Sequence, residues 1–111
     1  MMDRQHAVRL IGMLEDEINN GGFHQFFYNS AGDDTAEIIQ ALETIGALKT
    51  AAIVKSAAGK FPGGMPPQDR FARQDLLLDT VAPKGDEFNT LDQEFYTHPD
   101  DLSNLQPRFT A

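Results

Sequence analysis

The stretch NNGGFHQFFYNSAG, residues 19–32, decides how the N-terminal part of the chain folds. Its two glycines, Gly21 and Gly22, come after a helix-forming sequence. Phe23, Phe26 and Phe27 follow the glycines at helical spacing. Glycine tolerates the left-handed backbone with which helices commonly end. The stretch therefore predicts two consecutive helices with a joint at Gly21 and Gly22, and it places the phenylalanines on one side of the second helix.

The polar side chains around this joint admit two interpretations. His24 and Tyr28 lie one helical turn apart and, with Gln25, could line a small-molecule or catalytic site. Alternatively, the amides satisfy backbone groups that a broken helix leaves unpaired. We favour this structural joint, because no Gly-x-Ser-x-Gly frame or other activated nucleophile accompanies His24. Its predicted members are Glu17, Asn20, Gly21, Gly22, Gln25 and Asn29. Glu17 is expected to turn towards the N–H groups that open the second helix.

Helical periodicity continues on both sides of the joint. Residues 3–19 place Ala7, Ile11, Leu14 and Ile18 on one face. Downstream, helices are predicted over residues 34–46, 47–61 and 69–81, from Thr90 onwards and from Pro99 onwards, with one long loop at FPGGMPPQD. The pairs Asp34/Glu37 and Thr90/Gln93 resemble capping boxes.

No segment shows the alternation of a β-strand, so the sequence predicts an all-α, single compact domain of about six or seven short helices over residues 1–111. The predicted core comprises Phe23, Phe26, Phe27, Ile38, Leu42, Leu91 and Phe95. Leu102, Leu105 and Phe109 are expected to close it.

Several kinds of site find no support in the sequence. Cysteine is absent, which removes disulfides, thiolate metal sites and thiol nucleophiles. His6, His24 and His98 are scattered and give no metal-ligand pair. We therefore expect no catalysis, no metal and no cofactor. No apolar run approaches the ~18 residues of a membrane span and no secretory leader is evident, so we expect a cytoplasmic protein.

The charge balance restricts the class of partner. Seventeen acids against nine bases give a net charge of −8. Binding to nucleic acid needs clustered Lys and Arg, and an anionic membrane repels an acidic protein, so both are disfavoured. A basic protein surface is the partner that this field attracts.

The acids are densest in the C-terminal half of the chain. The candidate partner-binding residues are Asp75, Asp79, Asp86, Glu87, Asp92, Glu94, Asp100 and Asp101. Charge runs are usually solvated faces that keep a protein soluble. The sharper hypothesis is an anionic surface that imitates phosphates and occupies a DNA-binding protein. An immunity- or inhibitor-type protein for another basic partner would have the same charge signature. Asp100 and Asp101 are also placed to stabilise the start of their own helix.

Three segments, NGGFHQFFYNS, EIIQALETIGA and LDQEFY, together resemble an all-helical bacterial family of largely unknown function. The GGF-x-QFF-x-N core is the most specific part of a resemblance that covers about residues 14–105. The better-known member of that family is an acidic DNA-mimic protein that targets a transcription regulator. The resemblance implies an all-α fold, no known catalysis and a possible homodimer. DNA mimicry depends on surface carboxylates rather than on this core, and no family site residue is carried over.

Overall fold

A computed structural model describes residues 2–102, and all regular structure in that range is helical. The helices are α1 (Arg4–Tyr28), α2 (Thr35–Thr44), α3 (Leu48–Ala58), α4 (Arg70–Leu76) and α5 (Asn89–Tyr96). The all-α prediction is confirmed, although residues 2–102 contain five α-helices rather than six or seven. Leu105 and Phe109, predicted to close the core, lie outside the described residues.

The two helices predicted on either side of the glycines follow each other directly in α1, which is kinked at Gly21 and Gly22. Gly21 has φ −157° and ψ 18°, and Gly22 has φ 73° and ψ −171°, which are not helical angles. Before the kink, Ala7, Leu10, Ile11, Leu14 and Ile18 are buried. The kink turns the chain so that the following phenylalanines enter the core.

The starts of α2 and α5 differ from the capping boxes that the sequence predicted. The capping box predicted at Asp34 does not form, and α2 begins directly after a 3-10 turn over Ser30–Asp34. That turn supplies a backbone acceptor, since the N–H of Thr35 donates to the carbonyl of Gly32. Thr90 likewise does not cap α5, which begins at Asn89 without a side-chain cap. Both predictions were wrong, and in α5 too the first N–H donates to a preceding turn, from Asn89 to the carbonyl of Asp86 at 3.1 Å.

Helix α4 begins as the sequence predicts. Asp69 is its N-cap, and its side chain accepts a hydrogen bond of 2.8 Å from the N–H of Ala72. The helix continues as a π-helical turn over Leu77–Val81, in which the N–H of Ala82 donates to the carbonyl of Leu77 at 2.8 Å. The preceding loop contains a single 3-10 turn, Pro62–Gly64.

An aromatic cluster forms the centre of the core. Phe27 lies 5.1 Å from Phe26, 4.9 Å from Phe61 and 5.4 Å from Phe88, measured between ring centroids. Phe23 adds contacts with Phe88 and Phe95 at 6.1 Å. The predicted core residues are buried with one exception, because Leu91 is only partly buried and packs against the edge of the cluster.

Helix α1 is the element around which the others are arranged. Helices α2, α4 and α5 pack against it, and α3 packs against α2 and α5. No helix in the described range is both long enough and apolar enough to cross a membrane.

Candidate protein-binding surface and the glycine joint

The side chains on either side of the glycine joint are tied together by one carboxylate. Glu17 Oε2 accepts hydrogen bonds from Asn29 Nδ2 at 2.8 Å and from Gln25 Nε2 at 3.3 Å. Glu17 thus holds the amide groups of the second half of α1, instead of the N–H groups that open it. Asn20 is exposed and makes no side-chain hydrogen bond within residues 2–102.

The opening N–H group of that second half is held by a distant residue. Asp92 Oδ1, on α5, accepts a hydrogen bond of 2.8 Å from the backbone N–H of Phe23. Burial raises the pKa of the half-buried Asp92 carboxyl, although the Phe23 N–H and nearby His24 oppose that change. Gly22 has no room for a side chain, because a Cβ atom there would lie 2.5 Å from Asp92 Oδ2.

A second contact from α5 completes the joint. The Tyr96 hydroxyl donates a hydrogen bond of 2.6 Å to the carbonyl of Ile18, on the other side of the kink. Burial, and then the charge of Asp92, raise the pKa of Tyr96. Asp92 and Tyr96, one turn apart on α5, therefore bind the Phe23 N–H after the kink and the Ile18 carbonyl before it.

A buried arginine holds the C-terminal end of α1. Arg73 Nε donates to the carbonyl of Phe27 at 2.7 Å, and Nη2 donates to the carbonyl of Asn29 at 2.9 Å. Nη1 donates to the carbonyls of Pro67 and Gln68, both at 3.0 Å. Asp33 Oδ1 lies 2.7 Å from Nη2 and balances the charge.

Sequence reasoning missed this role of Arg73. The only available signal was its position, because Arg73, Leu77 and Val81 follow each other at i, i+4 and i+8 and all three are buried. An arginine within an apolar stripe is rare unless its donors are used internally.

The small-molecule interpretation of residues 20–30 gains no geometric support. Gln25 is held by Glu17, and Tyr28 is exposed. Two surface clefts among the described residues have volumes of about 450 and 340 Å³. The first is lined by Glu15, His98, Asp100, Asp101 and Leu102, and the second by Met2, Asp3, His6, Glu37 and Gln40. Neither includes His24, Gln25 or Tyr28, and residues 2–102 contain no cluster of three potential metal-ligating side chains.

The eight candidate acids divide into two groups by exposure. The exposed group comprises Asp75, Asp79, Asp86, Glu94 and Asp101. The half-buried group comprises Glu87, Asp92 and Asp100, and each of these side chains accepts hydrogen bonds from the backbone. The exposed group is therefore the part of the candidate surface that is best placed to meet a partner. We call these five residues the exposed acids.

Asp100 and Glu87 show why the half-buried acids belong to the fold. Asp100 Oδ2 accepts hydrogen bonds from the N–H of Thr50 at 2.6 Å and from its hydroxyl at 2.9 Å. It therefore caps the start of α3, 50 positions earlier in the chain. Glu87 accepts the N–H of Lys84 at 3.0 Å and of Asp86 at 3.1 Å. These bonds lower the pKa of Glu87 although partial desolvation alone would raise it.

The exposed acids are spread over separate elements around α1. Asp75 and Asp79 lie in the helical stretch 70–81, Asp86 precedes α5, and Glu94 lies within α5. Helices α4 and α5 both pack against α1 but not extensively against each other. In the N-terminal half, two exposed carboxylates lie close to bases, since Glu43 lies 2.7 Å from Lys55 Nζ and Glu37 lies 3.1 Å from His6 Nε2.

Comparison with known proteins identifies a family. The model of a family described as DMP19-like protein matches residues 1–110, which is nearly the whole chain. No curated protein and no solved structure gives a significant match. The chain belongs to the DMP19-like protein family.

Proposed function

We propose that this chain is a non-enzymatic, acidic protein-binding module that occupies the surface of a basic, DNA-binding protein. The observation that carries the proposal is the group of exposed acids in a chain of net charge −8. Among the bases, Arg73 is buried and its donors are used in internal contacts, so it cannot serve as a contact for an anionic partner. A transcription regulator in the cytoplasm is the partner class we favour.

Imitation of DNA is the mechanism that these acids support. Asp75 and Asp79 lie four positions apart in the helical stretch 70–81, and both are exposed, so this stretch presents two negative charges to a partner. A DNA-binding surface is lined by Lys and Arg that neutralise phosphates, and the same side chains can pair with carboxylates. The resemblance to a family with an acidic DNA-mimic member agrees with this mechanism. Direct binding to nucleic acid is opposed by the sign of the charge.

The first experiment tests for such a partner. The full chain, immobilised, is incubated with an extract of its native host, and retained proteins are released either by salt or by duplex DNA. We expect a basic DNA-binding protein in both eluates. Its association rate should fall steeply with salt, because the Debye length shrinks from ~10 Å at 0.1 M to ~3 Å at 1 M. A partner that binds this chain and DNA simultaneously would show that mimicry is wrong and would favour an inhibitor of another site.

Charge-matched variants test which carboxylates act. Asp75→Asn/Asp79→Asn removes two exposed charges from the candidate surface, and Glu37→Gln/Glu43→Gln removes two exposed charges from α2. Only the first variant should weaken binding to the purified partner. Equal losses would mean that net charge alone matters, and no loss from either would contradict the proposal. Asp92 and Asp100 are unsuitable probes because both hold backbone groups.

A further inference from the structure

The outer face of the helical stretch 70–81 carries apolar side chains that the core does not use. Phe71 is 74% exposed and Leu78 is 46% exposed. The opposite face of the same stretch, with Arg73, Leu77 and Val81, is buried. The outward position of Phe71 and Leu78 therefore follows from the way this stretch is anchored to α1.

Acidic residues are interleaved with these apolar ones. Phe71, Asp75 and Leu78 are all exposed, whereas the residues that alternate with them along the stretch, Arg73 and Leu77, are buried. Asp79 is also exposed, next to Leu78. An exposed aromatic beside a second apolar residue and two carboxylates has the composition of a binding contact, with an apolar centre and a charged rim.

The face is held in a fixed position. Arg73 binds the carbonyls of Phe27 and Asn29, and Gln74 Nε2 donates to the carbonyl of Tyr28 at 2.7 Å. These bonds attach the stretch to the end of α1 before any partner arrives. A contact surface that is already ordered loses less conformational entropy on binding.

We propose that Phe71 and Leu78 are the apolar anchors of the interface, and that they enter a depression bordered by Lys or Arg on the basic partner, whose cations pair with Asp75 and Asp79. This inference rests on the proposed function and adds to it a defined contact and an apolar component. Charge complementarity identifies the occupant. A two-fold symmetric contact with a second copy of this chain would bring Asp75 and Asp79 close to their own counterparts, and any contact between two copies brings together two molecules of charge −8. Nucleic acids and anionic membranes are repelled by the same charge.

A photo-crosslinking experiment locates the contact. A benzophenone amino acid is placed at position 71 of the full chain, or at position 48 as a control, since Leu48 is also exposed, at 63%, but lies on α3. In host extract, position 71 should crosslink to a basic DNA-binding protein, and position 48 should not. A crosslink from position 71 to a second copy of this chain would overturn the inference in favour of self-association. Equal crosslinking from both positions, or none from position 71, would also overturn it.

Binding measurements then separate this inference from the proposed function. The partner identified by crosslinking is then purified on its own. Phe71→Ser/Leu78→Ser should weaken binding to it by about 10- to 100-fold and leave the salt dependence of binding unchanged, as expected for an apolar anchor. Leu48→Ser should have no effect. If Asp75→Asn/Asp79→Asn weakens binding but Phe71→Ser/Leu78→Ser does not, the proposed function stands and the apolar contact is wrong. If neither variant weakens binding, both proposals fail. Unchanged circular dichroism and melting temperature establish that the variants are folded.

Discussion

Asp92 caps the backbone of Phe23 from a position 69 residues further along the chain, through a hydrogen bond of 2.8 Å. The backbone at Gly21 and Gly22 is not helical, and a carboxylate from α5 provides the acceptor for the N–H that follows them. The conformation of the N-terminal helix therefore depends on a residue close to the other end of the described chain.

Replacing Asp92 by alanine should destabilise the fold. The N–H of Phe23 would be buried without an acceptor, and such a loss costs roughly 1–3 kcal/mol in the free energy of unfolding. Urea denaturation measures this change. Glu94→Ala, on the same helix but exposed, is the control and should stay within about 0.5 kcal/mol of the wild type. Equal effects of the two substitutions would contradict the capping role.

The pH dependence of stability should report the same carboxyl. Burial raises the pKa of Asp92, so the native state holds this proton more tightly than the unfolded chain does. Between the ordinary aspartate pKa of about 3.9 and the higher native value, this residue therefore makes stability fall as pH rises.

Asp92→Asn removes that titration while keeping an acceptor oxygen. The unfolding free energy of the wild type, relative to this variant, should therefore decrease from about pH 3 to neutral pH. Urea denaturation at several pH values measures the difference. A relative stability that rises with pH would contradict this direction of the shift.

Removing the Arg73 guanidinium should be among the most harmful single changes. Arg73→Met leaves the carbonyls of Phe27 and Asn29 without their donor, and loss of one member of a buried charged network costs about 3–5 kcal/mol. Arg73→Lys should not restore stability, because an ammonium group cannot reproduce the planar fork of donors. Arg70→Met, three positions earlier and exposed, is the control. Thermal unfolding of the three variants measures these effects.

Replacing either of two glycines of α1 by alanine should change the free energy of unfolding, but in opposite directions. Gly22→Ala should destabilise the protein, because Gly22 has φ 73° and a Cβ there would collide with Asp92. The backbone conformation alone, in a region that essentially only glycine adopts, costs roughly 1–3 kcal/mol. Gly12→Ala should stabilise the protein by roughly 0.5–1 kcal/mol, since the site is helical and, apart from its chain neighbours and the nearby backbone of its own helix, no atom lies within 4 Å of the added Cβ. Chemical denaturation distinguishes them, and a neutral Gly22→Ala would argue against the kinked geometry.

Features with short-range causes were the ones that the sequence made predictable. The apolar spacing of Ile11, Leu14 and Ile18 predicted the first helix, and the glycine pair predicted its interruption. The helix predicted from residue 69 also has a short-range cause, since Asp69 caps it through the N–H of Ala72, three positions away.

Features with long-range causes could not be found in this way. Asp92, Asp100 and Arg73 bind backbone groups 69, 50 and 46 positions away, and no spacing rule connects such partners. For the same reason, the sequence analysis assigned Asp92 and Asp100 to the candidate surface. They could not be distinguished from the exposed acids until their backbone partners were known. The charge pattern predicted an acidic surface but not which carboxylates are used within the fold.

The dependence of α1 on Asp92 has a consequence for synthesis of the protein. Ribosomes add roughly 5–20 residues per second, so Phe23 emerges several seconds before the carboxylate that completes its helix. During this interval the nascent chain displays Phe23, Phe26 and Phe27 without Phe88 and Phe95, with which Phe23 later packs. The native fold must therefore form after most of the chain has been translated. Until then, the exposed phenylalanines of the nascent chain are the features that chaperones would recognise.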